Sequence, residues 1–364
     1  MGFDDFFGNL ELAGSLRRML AAGRLPHAVI LAGPQGAGKF TLAQMLAKTM
    51  LCLEPVARGG LADFCGRCAN CLRIGESDDL ETRIAEAIQA REDLREADRR
   101  ETRIFVQSHP DVLIIPPDPP QKMIKVDQVR HATETMHFLP SQGTKKIYIF
   151  TESCFMKEAA NALLKGLEEP PEFAYIFLLT RNPGELLPTI RSRCVTFRLA
   201  PLRPEELQQM LSRKSPQLSA RQRALIARLS NGGYGRAQSF DLEAHGAIVE
   251  EALLLLSSPD SRPDHSLLFR ATETYRAGAE GAEKMQALLR AIYALLQDLI
   301  YLKSGAKNLV QNIDRLPQLE ALAKQIDFAW INAAARQLME LESSMRRNPL
   351  RPLALDAFAA SLEK

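Results

Sequence analysis

The sequence lacks an excess of charge of one sign, a long apolar run and an export signal. Its formal charge of +2 over 364 residues gives no global basic field, so any contact with nucleic acid must be local or shared with partner chains. The most apolar stretch, residues 288–302, contains Arg290, Gln297 and Asp298, so no membrane span is expected. The first five residues are acidic and lack the basic and apolar parts of a signal peptide. A cytoplasmic protein is therefore expected.

The chain is too long for one compact core, and its pattern changes along its length. Up to residue 202, short apolar runs alternate with helical patterns, which is typical of an α/β fold with a parallel sheet. The predicted strands are 28–32, 111–115, 146–150, 174–179 and 195–199. Pro201 and Pro204 then introduce a small helical segment over 203–243, and residues 244–364 have a helical pattern throughout. The pattern predicts an α/β sheet domain, a small helical domain and an all-α domain.

A glycine-rich segment after the first predicted strand has the features of a phosphate-binding loop (P-loop). Gly33, Gly36 and Gly38 allow successive backbone N–H groups to point into one anion-binding cradle, and a helical pattern follows directly. Lys39 stands where such a loop places the lysine that reaches the β- and γ-phosphates. ATP binding is therefore a candidate activity, and a degenerate loop that binds nothing is the alternative.

The residues that should hold Mg²⁺ in such a site are replaced. The position after the lysine needs a hydroxyl and holds Phe40, while Thr41 comes one residue too late to point in the same direction. After the 146–150 strand, Thr151 stands where an Asp is expected, and Glu152 takes the place of the water-activating carboxylate. Because both changes remove ligands of the same cation, ATP hydrolysis is expected to be weak or absent.

Four of the six cysteines crowd together: Cys52, Cys65, Cys68 and Cys71. The last three form two consecutive C-x-x-C steps, and with the more distant first thiolate they can close a tetrahedral site. A closed set of four thiolates leaves no open coordination position, which indicates structural zinc, with redox or disulfide chemistry as the alternative. Cys154 and Cys194 lie apart from this cluster and are expected to be small buried side chains.

Residues 76–103 are dense in Glu, Asp and Arg, with a thin apolar ridge at Leu80, Ile84 and Ile88. This pattern predicts an exposed charged helix within an insertion over about 72–108, and a solvated arm is the alternative. The sequence assigns no chemistry to it.

Several segments together resemble the AAA+ clamp-loader subunits of bacterial DNA polymerase III over nearly the whole chain. The most specific are Ala-Asn-Ala-Leu-Leu-Lys at 160–165 and the triplet Ser192-Arg193-Cys194. The resemblance implies an AAA+ P-loop domain over 1–202 with a zinc module at 52–71, a lid domain over 203–243 and a collar domain over 244–364. It also implies a hetero-oligomer that places a sliding clamp on primed DNA.

The family pattern also assigns roles by position. Arg193 corresponds to an arginine finger offered in trans to a neighbouring ATPase subunit, and an ordinary surface or salt-bridging arginine is the alternative. Thr180 matches the γ-phosphate sensor, although Asn182 is close enough to compete, and Arg236 matches the second sensor of the lid domain. The implied nucleotide contacts are Gly33, Gly36, Gly38, Lys39, Thr41, Thr180 and Arg236.

The family contains hydrolysing motor subunits and non-hydrolysing partners. This chain lacks the P-loop hydroxyl and the Asp-Glu pair of the motors, so it resembles the non-hydrolysing branch, with a collar ending at Asn348-Pro349-Leu350. The implied partners are the gamma/tau and delta subunits, the sliding clamp and, through the assembled complex, primed DNA. Two alternatives stay open. One is a gamma/tau-type ATPase motor with unusual ligands, and the other is an autonomous nucleic-acid-binding protein that reads through its zinc module.

Overall fold

The structure is a computed structural model that describes residues 2–119, 123–256, 275, 278–345 and 350–362. The chain divides into two compact units. The first contains Met1–Arg203 and Asn231–Arg236, and the second contains Pro204–Ser230 and Ala237–Lys364. Of the predicted carboxy-terminal motif, Asn348 and Pro349 lie outside the described residues.

Within the described ranges the strands all lie in the first unit: β1 Ala28–Ala32, β2 Val56–Arg58, β3 Leu61–Asp63, β4 Val106–His109, β5 Val112–Ile115, β6 Lys146–Phe150, β7 Ala174–Thr180 and β8 Val195–Arg198. Six of them form one sheet in the order β4-β5-β6-β7-β1-β8, parallel except for the β4-β5 pair. Strands β1, β6 and β7 are buried along their whole length. This burial explains their continuous apolar sequence, because both faces of a parallel sheet are covered.

The predicted strands are confirmed, with small shifts at their ends. The antiparallel edge strand β4 and the β2-β3 hairpin were not predicted, because each of these strands interrupts its few apolar residues with polar or charged ones and forms no continuous apolar run. His109 ends β4 and is fully buried. Its Nδ1 accepts a hydrogen bond from the Asp111 N–H at 3.1 Å, which explains why it precedes the turn into β5.

The helices of the first unit are α1 Leu10–Ala21, α2 Lys39–Leu51, α3 Ala69–Gly75, α4 Leu80–Glu92, α5 Glu96–Glu101, α6 Val126–Met136, α7 Lys157–Glu168 and α8 Pro188–Arg191. Two hydrophobic cores form on the two faces of the sheet. One core includes Val29 and Leu31 of β1 and residues of α1 and α2, and the other includes Ile30 and residues of α6 and α7. The alternation along β1 follows from the period of two in a strand.

The charged insertion folds as the two helices α4 and α5. Every residue of α4 is described and none is fully buried, as the charged pattern predicted. The alternative of a solvated arm is nevertheless wrong. Arg91 of α4 and Arg103, which follows α5, form ion pairs with Asp118, a fully buried carboxylate after β5. Lys125 Nζ lies 3.4 Å from the same carboxylate, so one buried charge anchors the insertion to the sheet domain.

Asp118→Asn is expected to lower the free energy of unfolding by about 3 kcal/mol, because a neutral amide at this buried position removes the shared counter-charge of three partly buried cations. Urea unfolding of the full chain, followed by circular dichroism, measures this change. Asp127→Asn is the matched control, since Asp127 also pairs with Arg103 at 2.8 Å but is half exposed. The control should cost less than about 1 kcal/mol. Equal small losses in both variants would contradict an anchoring role for Asp118.

The remaining helices are, in chain order, α9 Pro204–Lys214, α10 Ala220–Leu229, α11 Tyr234–Gln238, α12 Leu242–Leu256, α13 Gly278–Lys303, α14 Leu316–Gln325, α15 Phe328–Met345 and α16 Arg351–Ser361. All of them belong to the second unit except α11, which begins in the last segment of the first unit and ends in the second. Leu288, Ile292 and Leu295 of α13 are fully buried, at the spacing of one helix face. The carboxylate of Asp298, also buried, accepts hydrogen bonds from the N–H groups of Gln311 at 2.7 Å and Asn312 at 3.0 Å. Among the described helices, none is both long and apolar enough to cross a membrane.

Candidate functional site

The segment between β1 and α2 forms the glycine loop that the sequence predicts. Gly36 and Gly38 have φ values of 77° and 85°, a left-handed conformation that glycine adopts without strain. Gly38 immediately precedes α2, so the amino end of a 13-residue helix lies at the loop. The ring of Phe6 packs closely against the loop, since a Cβ on Gly38 would lie 3.0 Å from it.

Lys39 is turned back onto its own loop. Its Nζ donates hydrogen bonds to the carbonyl oxygens of Gly33 and Pro34, each at 2.7 Å. The pKa of Lys39 is lowered to about 8, chiefly by burial and also by the nearby Arg181 cation, while Glu152 opposes this change. These two bonds use two of the three N–H donors of the ammonium.

The second glycine-rich segment, 231–236, packs its backbone directly against the P-loop within the same compact unit. The N–H of Gly235 donates to the carbonyl oxygen of Gly36 at 3.0 Å. A Cβ on Gly233 would lie 2.1 Å from the carbonyl oxygen of Gln35, so only glycine permits this approach. The same approach places the backbone of Arg236 beside Gly36, the position that the family pattern gives to the second sensor.

The positions of the magnesium ligands have other contacts. Phe40 packs partly buried against the core on the α1 and α2 side of the sheet. Thr151 follows β6, and its N–H donates to the carbonyl oxygen of Ile115 at 3.1 Å. The carboxylate of Glu152 lies 3.4 Å from the guanidinium of Arg181, and both side chains are more than half exposed. Neither ligand position holds the residue type that Mg²⁺ requires in a P-loop site.

The two candidates for the first sensor differ in position. Thr180 ends β7 and is buried, and its carbonyl oxygen accepts the N–H of Gly33 at 3.1 Å, which places it directly beside the P-loop. Asn182 caps the short helical turn that follows, with its Oδ1 accepting the N–H of Gly184 at 2.9 Å. The hydroxyl of Thr180 is also used locally, since it donates to the carbonyl oxygen of Asn182 at 3.1 Å, and the choice between the two residues stays a prediction.

Arg193 and the P-loop lie at opposite ends of the strands of the sheet. Arg193 precedes β8, whereas the loop follows β1, and these two strands are parallel neighbours. A four-residue strand spans roughly 13 Å, so the arginine lies at the amino end of the sheet and the loop at the carboxyl end. The guanidinium Nη2 lies 2.6 Å from a carboxylate oxygen of Glu168, and Nη1 donates to the carbonyl oxygen of Thr189 at 2.9 Å.

The four clustered cysteines converge in space. Cys52 follows the end of α2, Cys65 and Cys68 lie before α3, and Cys71 is within it. Their Sγ atoms all lie within 4.8 Å of one another, and those of Cys52 and Cys68 are 3.9 Å apart. Thiolates around a tetrahedral zinc ion, with bonds of about 2.3 Å, stand about 3.8 Å apart. The four cysteines can therefore hold a metal ion.

Backbone N–H groups point at the cysteine sulfurs. The N–H of Cys65 lies 3.3 Å from Cys52 Sγ, and the N–H of Cys68 lies 3.3 Å from Cys65 Sγ. Gly66 has a φ of 75°, which allows the tight turn between the two. Burial opposes ionisation of Cys68, but hydrogen bonds from Cys71 and the backbone outweigh it and hold the pKa of Cys68 at about 6. Such donors favour thiolates, the form that binds zinc.

The remaining cysteines and three other residues depart from the sequence-based expectations. Cys194 is partly buried, but Cys154 is exposed, so the prediction of a buried side chain is wrong there. The sequence reasoning assigned no role to Asp118, Glu168 or Arg181. Asp118 pairs with Arg91 across 27 positions, Arg181 with Glu152 across 29 and Glu168 with Arg193 across 25, so no local pattern could have indicated these pairs.

Comparisons with known proteins agree with this architecture. A family model described as "DNA polymerase III, delta subunit" matches residues 8–203, and one described as "DNA polymerase III, delta subunit, C terminal" matches residues 279–351. The Escherichia coli K12 protein named DNA polymerase III subunit delta' is 30% identical over 300 residues, which are 80% of this chain and 75% of that protein.

Two further relatives match shorter parts. Bacillus subtilis 168 DNA polymerase III subunit delta' is 32% identical over 250 residues, 68% of this chain and 63% of that protein. E. coli K12 DNA polymerase III subunit tau is 29% identical over 247 residues, 66% of this chain and 33% of that protein. With the first family model covering more than half of its length, the chain belongs to the DNA polymerase III delta-subunit family and is similar to delta' proteins over most of its sequence.

Proposed function

We propose that this chain is a non-hydrolysing subunit of the DNA polymerase III clamp loader and helps to place the sliding clamp on primed DNA. Its similarity to the delta' proteins supports membership of that complex. The observation that carries the non-hydrolysing role is Phe40 at the position that needs a hydroxyl, where its side chain packs against the core on that face of the sheet. Together with Thr151 at the second ligand position, it leaves the loop without the two protein ligands that hold Mg²⁺ beside a γ-phosphate.

In this proposal, ATP is hydrolysed by a neighbouring motor subunit and Arg193 completes that subunit's site. The position of Arg193 supports the idea. The residue lies at the amino ends of the strands, whereas the chain's own P-loop lies at their carboxyl ends, and its side chain is partly exposed. An arginine there cannot reach its own loop but is accessible to a neighbour. Thr180 and Arg236 keep the sensor positions beside the loop, and Glu152 is a remnant of the water-activating carboxylate.

The partners in this proposal are the gamma/tau and delta subunits, the clamp and, through the assembled complex, primed DNA in the cytoplasm. We propose the division into a P-loop domain over 1–202, a lid over 203–243 and a collar over 244–364 as the functional arrangement. The collar would carry the contacts that hold the oligomer together.

We also propose that the four clustered cysteines hold structural zinc. Four thiolates form a closed set, so the ion would have no open position for catalysis. The module joins the sheet domain through Asn70, whose side chain donates to the carbonyl oxygen of Leu51 at 2.9 Å. Arg67, an exposed cation between Cys65 and Cys68, pairs with Glu54 at 3.4 Å, which does not favour a nucleic-acid reader.

The alternative function, a gamma/tau-type ATPase motor, draws support from the similarity to the tau subunit. It requires Mg²⁺ to bind without its two usual protein ligands, because Phe40 and Thr151 stand at those positions. A steady-state ATPase assay separates the two functions.

The purified chain alone is expected to show no ATP turnover above the level of its Lys39→Ala variant, because Phe40 and Thr151 supply no magnesium ligand. A loader reconstituted with motor subunits is expected to load clamps onto primed DNA only when this chain is included. The ATPase rate of the isolated chain and the clamp-loading yield of the complex are the two measurements.

Turnover at motor-like rates that disappears in Lys39→Ala would establish the alternative function instead. Clamp loading of equal yield without this chain would contradict its place in the loader.

A further inference from the structure

The guanidinium of Arg193 is held at both of its terminal nitrogens. Nη2 contacts a carboxylate oxygen of Glu168 at 2.6 Å, and Nη1 donates to the carbonyl oxygen of Thr189 at 2.9 Å. A guanidinium is planar, so two anchored nitrogens fix both the plane and the direction of the group. The side chain of Arg193 is still 34% exposed, which leaves it accessible from outside the chain.

Glu168 occupies a position that does not favour a carboxylate. It is the last residue of α7, where the helix carries partial negative charge, and Glu169 follows directly. Its side chain is half exposed, and an exposed ion pair contributes little to stability. The fold itself therefore gains little from Glu168, whereas the orientation of Arg193 depends on it.

We propose that Glu168 is a positioning residue that sets the orientation of Arg193 for a phosphate of the neighbouring subunit. The inference rests on the proposed function of Arg193 in trans. A guanidinium has five N–H donors, so contacts to one carboxylate oxygen and one carbonyl leave donors for phosphate oxygens. An arginine oriented before the phosphate arrives does not have to lose side-chain freedom during the reaction, which is the advantage of a preorganised site.

The test measures DNA-stimulated ATPase of a reconstituted loader that carries changes in this chain. Glu168→Ala is expected to lower kcat about tenfold with KM for ATP unchanged, because misorientation affects the transition state rather than binding. Glu168→Gln keeps an acceptor without the charge and should give an intermediate kcat. Glu169→Gln removes the same charge one residue further along and should match the unmodified loader.

A double-mutant cycle distinguishes positioning from general stability. Adding Glu168→Ala to Arg193→Ala is expected to cause no further loss of kcat, since there is no guanidinium left to orient. Unchanged or increased kcat in Glu168→Ala would overturn the proposal, as would an equal loss in the Arg193→Ala background. If Arg193→Ala itself has no effect, the proposed function in trans is wrong. If it lowers the rate while Glu168→Ala does not, only the role of Glu168 is wrong.

Discussion

A loader that carries Arg193→Ala in this chain is expected to hydrolyse ATP about 10³-fold more slowly at the site that receives the arginine. Negative charge develops on the transferred phosphoryl group, and a guanidinium placed against it stabilises the transition state more than the ground state. Clamp loading should fall with hydrolysis. DNA-stimulated ATPase and transfer of the clamp to primed DNA, both in the reconstituted complex, are the measurements.

Two matched variants control this result. Arg191→Ala removes an exposed arginine two residues earlier, at the end of α8, and should leave the rate unchanged. Arg193→Lys should remain strongly impaired, because an ammonium lacks the planar fork that contacts two phosphate oxygens. Size-exclusion chromatography must show that each variant assembles. Unaltered ATPase in an assembled Arg193→Ala complex would mean that this arginine only forms the ion pair with Glu168.

The second large effect concerns the cysteine cluster. The purified chain is expected to contain about one zinc ion per molecule, and Cys68→Ser should reduce this to near zero, because three thiolates no longer close the site. Since metal binding contributes directly to folding, the variant should also unfold at a lower temperature. Elemental analysis and thermal unfolding with and without a chelator measure both changes.

Cys154→Ser is the control, since this cysteine is exposed and lies outside the cluster. It should retain the zinc content and thermal stability of the unmodified chain. A metal-free protein in which Cys52, Cys65, Cys68 and Cys71 all react with a thiol reagent would contradict the zinc site. Persistent zinc in Cys68→Ser would show that this thiolate is not needed as a ligand.

The P-loop and the cysteine cluster are connected through one helix. Helix α2 begins at Lys39 and ends at Leu51, so the loop precedes its first turn and Cys52 follows its last. Its apolar side chains pack in the core on that face of the sheet. Zinc loss at one end of α2 would therefore act on the same helix that positions the P-loop.

Much of the fold followed from local pattern. The strands β1, β5, β6 and β7 were predictable because continuous apolar runs between turn residues indicate buried parallel strands. The glycine loop and the four-cysteine cluster were predictable because their chemistry requires fixed residue types at short spacing. The exposed charge of α4 followed from its composition in the same way.

The sequence by itself determined the elements, the glycine loop, the missing magnesium ligands and the cysteine set, since each depends on neighbours within a few residues. Tertiary structure alone decided which distant groups meet. Arg91 reaches Asp118 across 27 positions and Arg193 reaches Glu168 across 25, and only the packing of sheet and helices brings these charges together. It also decided that Lys39 binds its own loop and that Gly233 and Gly235 pack against it. Such contacts depend on the path of the backbone through space, which local spacing does not encode.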